Sequence, residues 1–379
     1  MHGLNSGCLP TTGGSIVLFR LLSSTAFVLI AGAAPADYAL TILHTNDFHD
    51  RYEPITGNDN TCAPEDNVAG KCFGGSARLV TALAEARARN PDTILVDGGD
   101  QFQGTLFYTR YKGTMTAEFI NSLGYDAMTV GNHEFDDGPE VLAAFVAGVT
   151  FPVLMSNADI SGEPILAGKI AKSTVIERNG QKIGLIGLTP QDTDQLASPG
   201  KNVIFTDPVG AVQGEVDVLT EAGINKIIVL SHSGYVVDQV VAAGTTGVDV
   251  IVGGHSNTYL SNISDDAAGP YPTMVGTTAI VSAYAFGKFL GDLNVVFNDE
   301  GQIVTATGEP RVMYHWWPRM HQRWRASPNW RSRWQRSGTG RSPRRRRNWT
   351  DRVTIAGRSS APSAILSPRR CWTGCAIRA

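Results

Sequence analysis

Short apolar segments that alternate with helical patterns constrain this chain more than any other feature of its sequence. The segments are rich in Ile, Val and Leu and are bounded by turn residues, which is typical of buried strands. Apolar strands followed by helices predict a layered α/β fold in which most strands are parallel. The predicted strands are Ala39–Thr45, Thr93–Asp97, Ala127–Val130, Val153–Met155, Lys226–Ser231 and Val248–Val252. The predicted helices are Gly75–Arg89, Thr114–Leu123, Pro139–Val146, Asp207–Ala222 and Tyr235–Ala242.

Further strands lie between and after these elements. A hairpin is predicted from Val175–Arg178 to Lys182–Thr189, because Asn179-Gly180 between them favours a two-residue turn. Thr278–Phe297 is predicted to contain two more strands. Together these elements are enough for residues 37–314 to bury a full hydrophobic core.

Charge divides the chain at residue 314. Residues 1–314 hold 16 Lys and Arg against 34 Asp and Glu, and residues 315–379 hold 16 Arg against a single acid, Asp351. All seven Trp also lie in the last part. One folded domain does not usually divide in this way, so we predict a domain at 37–314 and a separate tail at 315–379. The composition excludes collagen and low-complexity disorder, and no apolar run reaches the roughly 18 residues of a transmembrane segment.

The N-terminal residues 1–36 resemble an export signal. Arg20 is followed by an apolar run over residues 21–30, and Ala34-Pro35-Ala36 offers small residues for cleavage. Export predicts a periplasmic or extracellular protein; a buried strand or short helix is the alternative.

Two cysteines, Cys62 and Cys72, are the only ones within residues 37–314. They bracket a polar loop, and an oxidising compartment would let a disulfide persist between them. We interpret the pair as a local disulfide rather than as a redox or metal site.

Polar side chains follow five of the predicted strands. Because the carboxyl ends of parallel strands meet at one edge of a sheet, we expect these side chains to converge. In extended backbone, residues i and i+2 point the same way, so Asp47 and His49 would face one ion. The clusters are Asp47 with His49, Asp100, Asn132-His133-Glu134, His232, and His255 with Asn257.

These clusters offer carboxylate, imidazole and amide ligands but no thiolate. Such a set suits Zn, Mn, Fe or Co and argues against a cysteine-rich structural zinc site. Each cluster alone has an ordinary structural explanation, as turn residues or as a buried histidine hydrogen-bonded to backbone. Five clusters at equivalent positions are hard to explain in that way.

The constellation resembles the calcineurin-like metallophosphoesterases, and within them the exported 5'-nucleotidases. The resemblance extends from about Leu40 to Gly308 and implies a four-layer sandwich of two mixed sheets flanked by helices. The bridged loop of the ecto-5'-nucleotidases corresponds to the loop between Cys62 and Cys72. The matching motifs are residues 43–47 (LHTND), 99–105 (GDQFQGT), 131–136 (GNHEFD), 254–258 (GHSNT) and 283–288 (AYAFGK).

The resemblance also implies a set of metal ligands for two divalent ions, Zn, Mn or similar. Asp47, His49 and Asp100 would hold one ion, with Asn257 close to that side. Asp100 would bridge to the second ion, which Asn132, His232 and His255 would complete.

Catalytic and substrate-binding roles follow from the same resemblance. Two ions generate hydroxide at neutral pH for attack on phosphorus. His133 would stabilise the charge that develops on the phosphoryl group, and Asp136 would orient His133. Asn132 and Asn257 would also bind substrate. Capping of the helix that begins near Pro139 is the alternative role for Asp136 and the expected role of Asp137.

The family continues into a second domain that binds the nucleoside, and after Tyr314 the sequence departs from it. We therefore expect the C-terminal nucleotide-binding domain to be missing and residues 315–379 to be disordered. Their Arg, Trp, Ser and Pro usage resembles an out-of-frame translation. The alternative is a nucleic-acid- or membrane-binding arm that uses Arg341–Arg347.

The first functional hypothesis is an exported, metal-dependent phosphohydrolase that removes phosphate from nucleotides, impaired by loss of the substrate domain. Its partner would be a nucleotide or another phosphoester, with no specific nucleic acid; the oligomeric state is left open. One alternative is a cyclic phosphodiesterase, nucleotide-sugar hydrolase or sulfur-ester hydrolase on the same scaffold. The other is a truncated metal-binding protein without catalysis.

Overall fold

The computed structural model describes residues 37–314 and the isolated Gly13. The predicted export signal and the predicted tail at 315–379 lie outside the described residues. The strands are β1 (Tyr38–Thr45), β2 (Thr93–Asp97), β3 (Ala127–Thr129), β4 (Val153–Leu154), β5 (Ala158–Asp159), β6 (Ser173–Arg178), β7 (Gln181–Leu188), β8 (Ile204–Phe205), β9 (Ile227–Ser231), β10 (Val250–Gly253), β11 (Thr273–Val275), β12 (Thr278–Val281), β13 (Phe289–Phe297), β14 (Ile303–Gly308) and β15 (Arg311–Val312). The helices are α1 (Pro64–Val68), α2 (Ser76–Arg89), α3 (Leu106–Tyr111), α4 (Gly113–Leu123), α5 (Pro139–Gly148), α6 (Thr193–Leu196), α7 (Pro208–Glu221) and α8 (Tyr235–Gly244), with a 3₁₀ turn at His133–Phe135.

Two large sheets form the centre of the fold. The first has the order β14-β13-β1-β2-β3-β4, with β15 also paired to β13, and the second has the order β11-β12-β10-β9-β7-β6. Strands β1 to β4 run parallel, as do β7, β9, β10 and β12, whereas the flanking pairs are antiparallel. The predicted parallel strands are therefore confirmed at the centre of each sheet, and both sheets are mixed.

The inner faces of the two sheets pack on each other. Leu40 and Ile42 of β1 belong to one buried cluster together with Leu185 of β7 and Leu230 of β9. The other face of the second sheet packs against α7 and α8, where Val216 joins a second buried cluster. Helices α2, α4 and α5 also bury apolar side chains. This layering confirms the predicted sandwich of two mixed sheets with helices outside.

A disulfide closes the loop between Cys62 and Cys72, whose Cα atoms lie 6.1 Å apart. The loop is tied to the rest of the domain by Arg78 of α2, which donates to the side chain of Asn67 at 2.6 Å, and by the N–H of Cys62, which donates to Pro54 at 3.1 Å. The cysteines therefore serve as a local clamp on a loop that already has other anchors.

Replacing both cysteines by Ala should lower the free energy of unfolding by at most about 3 kcal/mol, because the bridge spans only 10 positions of the sequence. Urea unfolding of the double variant beside the unmodified chain measures this difference. A much larger loss would show that the loop supports more of the domain than its own closure.

None of the helices within residues 37–314 is long and apolar enough to cross a bilayer.

Candidate metal centre

The predicted site residues meet where the parallel strands of both sheets end. The loop after β1 is bound to the loop after β2, since the backbone N–H of Asp47 donates to Gly99 at 2.9 Å and that of His49 donates to Asp100 at 3.1 Å. The loop after β10 joins them through the N–H of His255, which donates to the Asp47 carboxylate at 3.0 Å. Loops from both sheets thus form one polar centre.

Asp47, His49 and Asp100 form the first group of ligand-capable side chains. One ligand atom from each residue lies within 4.8 Å of the others. The Nδ1 of His49 donates to the carbonyl of Phe102 at 2.8 Å, which leaves Nε2 facing the two carboxylates at 3.9 Å. The hydrogen bond from Nδ1 fixes the orientation of the ring, as is typical of histidines that bind a metal through their other nitrogen.

The convergence of Asp47 and His49 does not come from extended backbone, so that part of the prediction is wrong. Both residues adopt left-handed conformations, with φ of 49° at Asp47 and 51° at His49. The loop is held in this shape by its hydrogen bonds to the neighbouring loops, which include Phe286 N–H donating to Asp47 at 2.7 Å. Tertiary contacts, rather than strand geometry, bring the carboxylate and the imidazole together.

Asp100, His232 and His255 form the second group, again within 4.8 Å of one another. The Nδ1 of His232 donates to the carbonyl of Gly98 at 2.6 Å, and its Nε2 lies 2.9 Å from the Asp100 carboxylate. Asp100 therefore belongs to both groups. A carboxylate shared in this way is suited to bridging two cations.

Asn132 and Asn257 carry the amide ligands of the prediction. Within residues 37–314, the Oδ1 atoms of both are buried and lack a hydrogen-bond partner. An unpaired buried amide oxygen is costly in free energy unless a cation or another group satisfies it. Asn132 precedes His133, whose N–H donates to Asp100, and Asn257 lies two residues after His255. Two unsatisfied oxygens in the loops of the centre therefore fit a bound metal.

Glycines let the loops of the centre approach closely. A Cβ at Gly131 would lie 2.2 Å from the Asp100 carboxylate, and one at Gly254 would lie 2.7 Å from a backbone carbonyl and 2.9 Å from His232. Any larger residue would push the ligand side chains apart, so glycine is needed at both positions.

Burial and charge act in opposite directions on the ligand carboxylates and imidazoles. Burial disfavours charge at Asp100 and at His232, but their mutual attraction lowers the pKa of Asp100 and raises the pKa of His232 to about 10. At Asp47, burial outweighs the neighbouring imidazole and raises the pKa. Metal binding at His232 requires loss of its Nε2 proton, so a cation and this proton compete for the same place.

His133 and Asp136 form a pair beside the two groups. The Nδ1 of His133 donates to Asp136 at 2.7 Å, and its Nε2 lies 3.9 Å from Asp100. The hydrogen bond with Asp136 raises the pKa of His133 to about 9, so the ring is a cation at neutral pH. Its side chain is 37% exposed, which leaves Nε2 open to a ligand from solvent.

The expectation that Asp137 caps the following helix is wrong. Gly138, at a φ of 86°, occupies the cap position of α5, where no side chain makes a capping hydrogen bond. The Asp137 carboxylate instead accepts hydrogen bonds from Tyr108 at 2.7 Å and from Lys112 at 2.8 Å. The Tyr108 hydroxyl and the Lys112 ammonium therefore take the place that the N-terminal N–H groups of α5 would have at this carboxylate.

Two residues inside the recognised motifs have contacts that the sequence did not reveal. The side-chain amide of Asn46 donates to Asp47 at 2.8 Å and accepts from the N–H of Ala283 at 3.1 Å, so it joins two loops of the centre. Glu134 is wholly buried. Within residues 37–314, its carboxylate accepts hydrogen bonds from backbone N–H groups only. The structural roles of Asn46 and Glu134 show only in their burial and contacts, which cannot be seen in the sequence.

The sequence matches the family model for calcineurin-like phosphoesterase over residues 40–259. It is 44% identical over 313 residues to a 5'-nucleotidase of Diplobatis ommata, an alignment that covers 79% of this chain and 52% of that protein. It is 40% identical over 319 residues to the snake venom 5'-nucleotidase of Gloydius brevicauda, covering 81% and 53%. The chain thus spans about half the length of the curated relatives it matches.

Solved structures give the same relationship. A 5'-nucleotidase precursor from Thermus thermophilus superposes with a TM-score of 0.68 at 40% identity, covering 73% of this chain and 55% of that one. The NAD nucleotidase of Haemophilus influenzae superposes with a TM-score of 0.67 at 30% identity, covering 74% and 57%.

Proposed function

This chain belongs to the calcineurin-like phosphoesterase family, and from that premise we propose that it is an exported phosphohydrolase that removes phosphate from nucleotides with two divalent metal ions. One observation carries the proposal: Asp100 is common to two groups of ligand-capable side chains. Two adjacent groups that share a carboxylate are suited to a pair of ions, whereas a single ion would need only one of them.

The proposed ligands divide between the two groups. Asp47, His49, Asp100 and Asn257 would hold one ion, and Asp100 would also serve the other. Asn132, His232 and His255 would complete the ligands of the second ion. The donor set contains oxygen and nitrogen but no sulfur, which suits Zn²⁺ or Mn²⁺. When bound, the ions supply a nucleophile at neutral pH and positive charge for the phosphate oxygens.

The amides of Asn132 and Asn257 serve the substrate as well. An asparagine side chain has one carbonyl oxygen and two N–H donors. With the oxygen turned to an ion, the N–H groups remain for the oxygens of a phosphate. The substrate would therefore be held by the residues that organise the centre.

His133 and Asp136 are the proposed catalytic residues. The Nε2–H of the His133 cation is open to solvent and donates to a phosphoryl oxygen as negative charge develops there. Asp136 holds the ring through Nδ1 at 2.7 Å and keeps it protonated. Because the donor is fixed in advance, little reorganisation is needed during the reaction.

Nucleotides are the proposed substrates because the relatives described above are nucleotidases by name. Export to the periplasm or the extracellular space is supported by the sequence of residues 1–36, by the venom origin of one relative and by the Cys62–Cys72 disulfide. We further propose that residues 37–314 form the catalytic domain and that residues 315–379 take no part in the reaction.

Removing residues 315–379 should leave hydrolysis of p-nitrophenyl phosphate unchanged, because every proposed ligand and catalytic residue lies before residue 261. This substrate has a good leaving group and needs little binding energy from remote contacts. The measurement is kcat/KM of the full chain and of the shortened chain with added Mn²⁺ or Zn²⁺, and EDTA should abolish both activities. Activity that disappears with residues 315–379 would contradict the domain assignment.

A substrate panel tests the proposed specificity in the full chain. AMP should give a higher kcat/KM than a 2',3'-cyclic nucleotide, a nucleotide sugar or a sulfur ester. A clear preference for one of the other three would replace the nucleotidase by that hydrolase on the same metal centre. If the chain binds metal but hydrolyses none of these four substrates, the result would support a metal-binding protein without catalysis.

A further inference from the structure

Glu134 is a buried carboxylate to which the proposed mechanism gives no role. It lies in the 3₁₀ turn after β3 and is 0% exposed. Its two oxygens accept hydrogen bonds from backbone N–H groups only. The donors are Asp100 at 3.0 Å, Gln101 at 2.9 Å, Phe102 at 3.2 Å and Gly131 at 2.6 Å.

These bonds join two loops of the metal centre. Three donors belong to the loop after β2, which carries Asp100, and the fourth belongs to the loop after β3, which carries Asn132. A bond in the opposite direction completes the connection, since the N–H of His133 donates to the Asp100 carboxylate at 2.9 Å. The two loops are therefore braced against each other by a carboxylate from each side.

The bonds also hold Asp100 in an unfavourable backbone conformation. Asp100 has a φ of 58°, in the left-handed region that residues other than glycine seldom adopt. Its N–H and the next two N–H groups all point toward Glu134, in the kind of concave arrangement that binds anions. In this conformation the Asp100 side chain lies 2.9 Å from His232 and 3.9 Å from His49.

Glu134 is poorly placed to act as a ligand or a base itself. An ionised carboxylate has about four acceptor positions, and four N–H groups already occupy both oxygens of Glu134. Neither group of ligand-capable side chains found in residues 37–314 includes it. The Glu134 carboxylate therefore serves to hold backbone N–H groups in place.

We propose that Glu134 is the positioning residue of the metal centre, which fixes the bridging carboxylate of Asp100 relative to Asn132. This inference rests on the proposed function, because the position of Asp100 matters in this way only if it holds metal. Loss of the anchor would release the loop that positions Asp100, although every ligand residue would still be present in the chain.

The test is the Glu134→Gln variant, whose side chain has nearly the same shape. Gln offers one acceptor oxygen and one NH₂ group, so the two N–H donors that face the NH₂ lose their acceptor. We expect the affinity for Zn²⁺ or Mn²⁺ alone, measured by competition with a chelator, to fall roughly 10- to 100-fold, the scale for groups that orient metal ligands.

Asp249→Asn is the matched control. Its carboxylate likewise accepts a backbone N–H, that of Ile227 at 2.8 Å, but at the start of β9, the opposite end of the strand from His232. Both variants should lower the Tm of the metal-free protein. Only Glu134→Gln should weaken metal binding; an unchanged affinity in Glu134→Gln, or an equal loss in both variants, would overturn the proposal.

Two further results separate this proposal from the one on which it rests. If the unmodified chain binds no metal, the proposed function fails and the role of Glu134 fails with it. If the chain binds metal but Glu134→Gln does not fold, amide hydrogen exchange of the unmodified, metal-free chain decides. Slow exchange at Asp100, Gln101 and Phe102 supports the anchor, and exchange as fast as in an exposed loop overturns it.

Discussion

Asp100→Asn is expected to remove detectable phosphohydrolase activity and to lower the bound metal below one equivalent per chain. Asp100 is the carboxylate common to both groups of ligand-capable side chains, so in the proposed centre its charge would serve both ions at once. An amide keeps the shape of the side chain but not its negative charge, and two adjacent cations without a bridging anion repel each other. The measurements are elemental analysis of the dialysed variant and its kcat with p-nitrophenyl phosphate.

Asp126→Asn is a control for this result. Asp126 lies before β3, away from the centre, where it accepts the N–H of Leu95 at 2.8 Å and pairs with Arg178. Its loss should reduce stability without changing metal content. Full metal binding by Asp100→Asn would show that Asp100 does not bridge two ions.

His133→Ala is expected to keep the metal but to lower kcat by roughly 10²-fold or more, the scale for one donor that stabilises transition-state charge. His133 belongs to neither ligand group, and its Nε2 faces the site from the side. Elemental analysis and steady-state kinetics of the same preparation separate binding from catalysis. If the variant loses metal, His133 is a ligand and its proposed role is wrong.

The neighbouring Asp136 and Asp137 provide a matched pair for this prediction. Asp136→Asn should lower kcat in the same direction, since Asp136 holds the His133 ring at 2.7 Å. Asp137→Asn should leave kcat unchanged, because its carboxylate is engaged by Tyr108 and Lys112. Equal effects of the two substitutions would argue against a specific role for Asp136.

The strands and the meeting of the site residues could be predicted because both depend on local pattern. Buried parallel strands such as Thr93–Asp97 are continuous apolar runs, and the residues that follow them collect at one edge of the sheet. The same reasoning failed for the backbone of Asp47 and His49. Their left-handed conformations depend on hydrogen bonds to the loops after other strands, which the local sequence does not encode.

Other features were missed because the local sequence shows little pattern for them. The edge strands β14 and β15 are only partly buried, so they lack the apolar pattern that marks central strands. Short helices such as α3, with only Tyr108 buried, have no amphipathic period to read. Asp137 contacts Tyr108 and Lys112 instead of capping α5, and these tertiary contacts are likewise not visible in the local sequence.

The central claim is that this chain builds one site for two metal ions around Asp100. Elemental analysis of the purified chain, loaded with Zn²⁺ or Mn²⁺ and then dialysed, tests it most directly. We expect two equivalents of metal per chain, both removed by a strong chelator while the protein stays folded. One equivalent or none, in a chain whose circular dichroism and melting curve are those of the folded protein, would contradict the two-metal centre.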